Sequence, residues 1–219
     1  MTLNVSVAGK DFVVAGSDSR GIFGDVRVAT ATIDVMKKLH VVAPHVIVQV
    51  AGIAELGDNL VEEFIVQQQT KKVDGVRNVL NALRLFIVEK WDSYFATVPF
   101  QNRPPLILSI VGLDEIEGKY VSPHIFTLMS QLGFAPGVHN YGFSCTGVPL
   151  FANYILNRKY KNTAPLKELT WLVAYAISET ASQDHRVGKP IHIAQILPDG
   201  ISLLEPGDVE ITLKSKEVI

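Results

Sequence analysis

At 219 residues, 47% hydrophobic and 19% charged, the chain suits one well-packed domain, or at most two small ones. A net charge of −2 leaves no basic excess to neutralise phosphates, which argues against a nucleic-acid binder. The single cysteine, Cys145, rules out an intrachain disulfide and fits a reducing compartment. Mean hydropathy is positive, a surplus that suits buried interfaces between subunits. The amino terminus lacks a basic start, and Lys10, Asp11 and Asp18 interrupt its apolar stretch, so it does not read as a signal peptide. The longest uncharged apolar run, residues 41–54, contains Pro44 and His45 and is too short to span a bilayer. A soluble, cytoplasmic protein with neither membrane nor nucleic acid as partner is expected.

Residues 2–8 alternate like a half-buried strand, Gly9-Lys10-Asp11 reads as a turn, and a second strand runs from 11 to 17. Two more strands, 37–42 and 46–51, flank a turn at Ala43-Pro44. From Glu55 the period changes: Leu56, Leu60, Phe64 and Val66 recur at helical spacing. A second helix over about 73–96 carries Val76, Val79, Leu80, Leu83, Phe86 and Ile87. Strands return at 104–112 and 119–129, with a third at 142–145. Helices follow at 147–159 and 165–182, then strands at 190–196 and 201–204. No linker, repeat or change of composition divides the chain, so a single domain over 1–219 is the simplest organisation. The order predicts an α+β fold, a four-layer αββα sandwich of two antiparallel sheets flanked by helices.

Thr2 carries the most chemistry. Removal of Met1 would make it the amino terminus, with a hydroxyl to attack a carbonyl and a free α-amine, pKa about 8, to take the proton. On the hairpin just described, such a threonine lies near Asp18 at the end of the partner strand. The six histidines, His40, His45, His124, His139, His185 and His192, show no metal-ligand spacing, and no glycine-rich phosphate loop occurs. No cofactor or metal is expected. Taken alone, Lys37-Lys38 reads as a solvated basic step, Asp18 as a turn cap, Gly52 as a strand-to-helix bend and Asp184 as a loop acid after a helix.

The ordered set of Thr2, Ser17-Asp18-Ser19-Arg20, Lys37-Lys38-Leu39, Val50-Ala51-Gly52, Cys145-Thr146-Gly147, Asp184-His185-Arg186-Val187-Gly188 and Leu197-Pro198-Asp199-Gly200 resembles the β-type subunits of the proteasome. It is similar more widely to HslV-like threonine peptidases and the N-terminal-nucleophile (Ntn) hydrolases, and spans almost the whole chain. The resemblance implies the four-layer Ntn fold and peptide hydrolysis through an acyl-enzyme. It implies Thr2 as nucleophile, Lys38 beside its hydroxyl, and Asp18 holding the lysine. Gly52 would offer an oxyanion-binding N–H. Thr146 takes the place of a serine that touches the nucleophile's amine, and Asp184 orients that network. Gly21, Met36, Val50 and Ala54 match the first specificity pocket. All four are apolar or small, so cleavage after apolar residues is expected, unless the helix turns Asp58 toward the pocket and favours basic ones. Implied partners are a peptide or unfolded protein substrate and a homo-oligomeric ring, with other proteasome-like subunits or an ATPase.

Two departures stand out. Val187 replaces a frequent serine, and the segment from Asp18 to Lys38 is a few residues longer than usual. They keep open a non-catalytic ring subunit. An Ntn amidase, or a transpeptidase in which an amine replaces water, shares the same first steps. An α-type subunit is not expected, because the chain starts directly at its first strand.

Overall fold

The computed structural model describes residues 2–23, 31–69 and 72–215. Period-two alternation at the amino terminus forms the antiparallel pair β1 (Leu3–Ala8) and β2 (Val13–Asp18). A short ribbon, β3 (Gly21–Phe23) with β4 (Ala31–Ile33), follows. Then come β5 (Leu39–Ala43), β6 (Val46–Gly52), and helices α1 (Ala54–Gln68) and α2 (Val76–Tyr94). Strands β7 (Leu106–Ile116), β8 (Lys119–Met129), β9 (Pro136–Val138) and β10 (Phe143–Gly147) precede α3 (Leu150–Lys159) and α4 (Leu166–Gln183). The chain continues through β11 (Ile191–Leu197), β12 (Gly200–Leu204) and α5 (Pro206–Lys214).

The strands form two five-stranded antiparallel sheets. The first has the order β10-β1-β2-β11-β12, the second β5-β6-β7-β8-β9. One face of the first sheet, including Leu3, Val5 and Val7, packs on Leu169, Leu172, Val173 and Ile177 of α4. One face of the second, including Val48, Val50 and Leu108, packs on Phe64 of α1 and Leu83, Ile87 and Trp91 of α2. The opposite faces meet each other through smaller side chains, among them Ala8, Val13, Ala15, Ile47 and Ala194. The result is four layers, helices–sheet–sheet–helices, the αββα sandwich that the element order predicts. Each large aliphatic or aromatic side chain buried in the two helix–sheet layers contributes about 1.5–3 kcal/mol.

The contact between sheets changes character along the strands, and this positions the site. Away from the site it is apolar. Toward the start of β1 it becomes a buried hydrogen-bonded zip. Ser6 Oγ donates to Gln49 Oε1 (2.6 Å), Gln49 Nε2 to Gly16 O (2.7 Å), and Asn4 Nδ2 to Val50 O (3.1 Å). Each bond nets only about 1 kcal/mol, but an unpaired buried partner costs more, so the zip fixes how one sheet sits on the other. No helix among the described residues is long and apolar enough to cross a membrane.

Candidate active site

The polar end of the sandwich centres on Asp18, the last residue of β2, and Lys38, which immediately precedes β5. Lys38 Nζ lies 2.8 Å from Asp18 Oδ1, and neither side chain has any exposed surface. The ammonium also donates to Arg20 O at 2.5 Å. The carboxylate is satisfied on both oxygens. Oδ1 accepts the Leu3 N–H (2.8 Å), and Oδ2 accepts the N–H groups of Arg20 and Gly188 (3.1 Å each). A buried ion pair is tolerated only with such additional hydrogen bonds. Burial pushes the Lys38 ammonium below the usual lysine range, against the opposing pull of Asp18. The lengthened segment before Lys38 therefore does not keep its side chain from reaching Asp18. Residues 24–30 of that segment lie outside those described.

Thr2 is held by its backbone. Its carbonyl accepts the Val148 N–H (2.9 Å), and the next N–H, that of Leu3, is the one bound by Asp18. Both polar groups of the Thr2–Leu3 peptide unit are thus fixed. Gly147 makes this possible. Its φ is +91°, and a Cβ there would fall 1.8 Å from the Thr2 oxygen. The Thr2 side chain is buried. Among the described residues, the Lys38 ammonium bonds to Asp18 and Arg20 O and not to the Thr2 hydroxyl. Met1, on which the free amine depends, lies outside the described residues.

The remaining residues expected at the site divide into near and remote. Gly52 ends β6 with φ +98°, is exposed, and would place a Cβ 2.1 Å from Pro105 O, so only glycine fits this turn into α1. Thr146 lies opposite Asn4 in β10 and its hydroxyl pairs with Ser109 Oγ (3.2 Å). It therefore serves the contact between sheets, while the group from this segment that reaches Thr2 is the Val148 N–H. Asp184 follows α4, and its carboxylate is gripped by Arg186, whose Nη2 lies 2.6 Å from Oδ2. That guanidinium holds the carboxyl down at about 2. The loop that follows Asp184 supplies the Gly188 N–H to Asp18 and the His185 carbonyl to Arg20 (2.8 Å). Val187 is buried in the layer beneath the first sheet.

Of the expected pocket residues, Gly21 is buried and opens β3. Met36 is half-buried and donates its N–H to Ser19 O (3.0 Å). Val50 is sealed in the helix–sheet core and donates its N–H to Lys38 O (3.0 Å). Ala54 is the first residue of α1. Two contacts escape sequence reasoning. Arg20 grips Asp34 through two bonds, Nε to Oδ1 (2.7 Å) and Nη2 to Oδ2 (2.8 Å), and so braces the chain leading to Lys38. Buried His40 meets Asp58 of α1, Nε2 to Oδ1, at 3.1 Å. Asp58 also adds to the negative field at Lys38. No local signal links residues 18 positions apart on different elements.

The site thus draws on both sheets: Thr2 and Asp18 from the first, Lys38 and Gly52 from beside and within the second. No curated protein matches the chain. A family model described as "Proteasome subunit" matches residues 2–196, a span that contains every residue of the candidate site and all the strands of the second sheet. With the four-layer fold, this match shows that the chain belongs to the proteasome subunit family.

Proposed function

We propose that the protein is a threonine-type endopeptidase working within a proteasome-like ring. The observation that carries this reading is the buried Lys38–Asp18 pair, whose carboxylate also binds the N–H adjacent to Thr2. With Met1 removed, the Thr2 hydroxyl attacks the substrate carbonyl while the α-amine takes its proton. The Gly52 N–H receives the negative oxygen, a contribution of about 3 kcal/mol for one such donor. Collapse breaks the C–N bond, the proton passes to the leaving amine, and an ester remains on Thr2. Water, giving its proton to the amine, then hydrolyses the ester. Lys38 lowers the proton affinity of the hydroxyl through its field, and Asp18 holds the ammonium in place. Thr146 and Asp184 act at one remove, through the contact between sheets and the loop after α4.

Family membership implies assembly into rings with other subunits. A chamber of this kind would admit peptides and unfolded chains. Treating the protein with an amine-requiring epoxyketone should give a covalent adduct on Thr2 by mass spectrometry. Absence of the adduct from protein with a free Thr2 amine would favour the non-catalytic subunit instead. An adduct, followed by release onto an added amine in preference to water, would favour the transpeptidase.

Substrate preference follows from Asp58. Asp58, in the second turn of α1, is turned inward to His40. In this reading the Asp58 carboxylate borders the first specificity pocket, which then takes a basic side chain in preference to an apolar one. A charged side chain buried without a partner is penalised by several kcal/mol, so an acidic residue meeting Asp58 is excluded. Fluorogenic peptides ending in Arg should turn over at least ten times faster than those ending in Glu. Asp58→Asn should lower turnover after Arg and shift preference toward Leu. Faster release after Leu in the unmodified protein would show that Asp58 does not border the pocket.

A further inference from the structure

Beside the site, a groove of about 320 Å³ opens between β12 and the residues leading into β5. That volume stands at the low end of those that hold small molecules. The floor is aliphatic: Leu39 and Ile193 are buried and Leu204 is half-buried. Val35 and Leu203 stand at the mouth, 80% and 59% exposed, which leaves two branched side chains in water at one opening. Covering them removes apolar surface from water.

The polar groups at the groove are Lys37, Lys38 and His192, and no carboxylate lines it among the described residues. Lys38 commits its ammonium to Asp18 and the Arg20 carbonyl. Lys37 is exposed, and among the described residues it forms no hydrogen bond or ion pair. The half-buried His192 ring forms none either. Burial holds that ring below the usual histidine range, against the pull of Asp18 and together with the repulsion of Lys38. At neutral pH the ring is therefore uncharged and offers one N–H. A cationic ligand would meet Lys37 with no acid to offset it, and a neutral aliphatic one would leave Lys37 and the ring without partners. An aliphatic chain that ends in a carboxylate suits both halves of the groove, because an ionised acceptor makes the stronger hydrogen bonds.

We propose that the groove between Val35 and Leu203 is a binding site for a short, branched aliphatic carboxylate. The aliphatic chain packs on Leu39, Ile193 and Leu204 and covers Val35 and Leu203. The carboxylate sits at the mouth, where it accepts from the Lys37 ammonium and the His192 N–H. Neither Thr2 nor Gly52 lines the groove, so the ligand does not occupy the place of a peptide substrate. His192 nevertheless lies within the field of Asp18 and Lys38, so a charge brought to the ring is felt at that pair. Binding needs neither a free Thr2 amine nor hydrolysis.

The probe is isocaproate, titrated into the full chain and followed by calorimetry and by the NMR signals of the His192 ring. One site should saturate with a Kd of about 1 mM or tighter, which a ligand of about eight non-hydrogen atoms reaches at an ordinary ligand efficiency. The ring signals should move with the carboxylate. Isocaproamide keeps the shape without the charge, and acetate keeps the charge without the chain. Each should bind at least tenfold more weakly. Lys37→Gln should weaken isocaproate at least fivefold, and Leu203→Glu, at an exposed position, should abolish its binding. Both variants should keep the far-ultraviolet dichroism spectrum of the unmodified protein. Absence of saturable binding up to about 10 mM overturns the proposal. So does an amide that binds as well as the carboxylate. Binding indifferent to Lys37→Gln or Leu203→Glu places the probe elsewhere and overturns it equally.

Discussion

Thr2→Ala should lower peptide turnover by at least about a thousandfold while the protein keeps its fold and its assembly. Removing a nucleophile costs far more than removing a group that only assists it, because the acyl-enzyme cannot form. The fold should survive for a reason visible in the backbone. The two bonds that position residue 2, its carbonyl to the Val148 N–H and the Leu3 N–H to Asp18, do not involve the threonine side chain. Losing the buried hydroxyl and methyl should cost about 1–2 kcal/mol of stability. Turnover of a fluorogenic peptide, measured on protein whose free amine has been verified by mass, decides the matter. Activity within tenfold of the unmodified protein would remove Thr2 from the role of nucleophile.

Lys38→Met should abolish turnover and also destabilise the protein by about 3–5 kcal/mol, because it leaves the Asp18 carboxylate buried without its counter-charge. Three N–H donors remain on Asp18, which holds the loss toward the lower end of that range. Asp18→Asn removes the other charge and should cost a similar amount. The double variant should lose much less than the sum, since no uncompensated charge is left in it. Urea unfolding of the three variants gives the cycle. A loss under 1 kcal/mol for Lys38→Met would mean that water reaches the pair.

The two sheets and the four long helices were legible because each buries one face, and burial writes a period of two or 3.6 into the residues. The failures have physical causes. Helix α5 goes unassigned in the sequence because Val209, Ile211 and Leu213 do not mark one helical face: Val209 is buried and Ile211 is 67% exposed. Pro206 in its first turn is the one local mark of a helix start there. Strands β3, β4 and β9 are three residues each, too short to show a period. Val66 repeats with the apolar face of α1 but points to solvent. At the site, the meeting of Asp18 with Lys38 followed from motif order, not from either residue's surroundings in the chain. Val50, matched by motif order to a pocket, is sealed in the helix–sheet core, and the hydroxyl of Thr146 pairs with Ser109. Alternation along a strand decides which layer each of these side chains serves, and motif order alone does not carry that information.

The division of the site between two sheets has a consequence for how the protein fails. Lys38 meets Asp18, and through it the Thr2–Leu3 peptide, only while the layers are clasped by the Ser6–Gln49–Gly16 zip and its neighbours. A state in which the sheets part slightly, each still backed by its own helices, would look nearly native to any probe of secondary structure and yet have lost the arrangement of the candidate site. If the proposed activity holds, it is a gauge of the seam, and mild heat or denaturant should silence peptide turnover before it unravels a single strand.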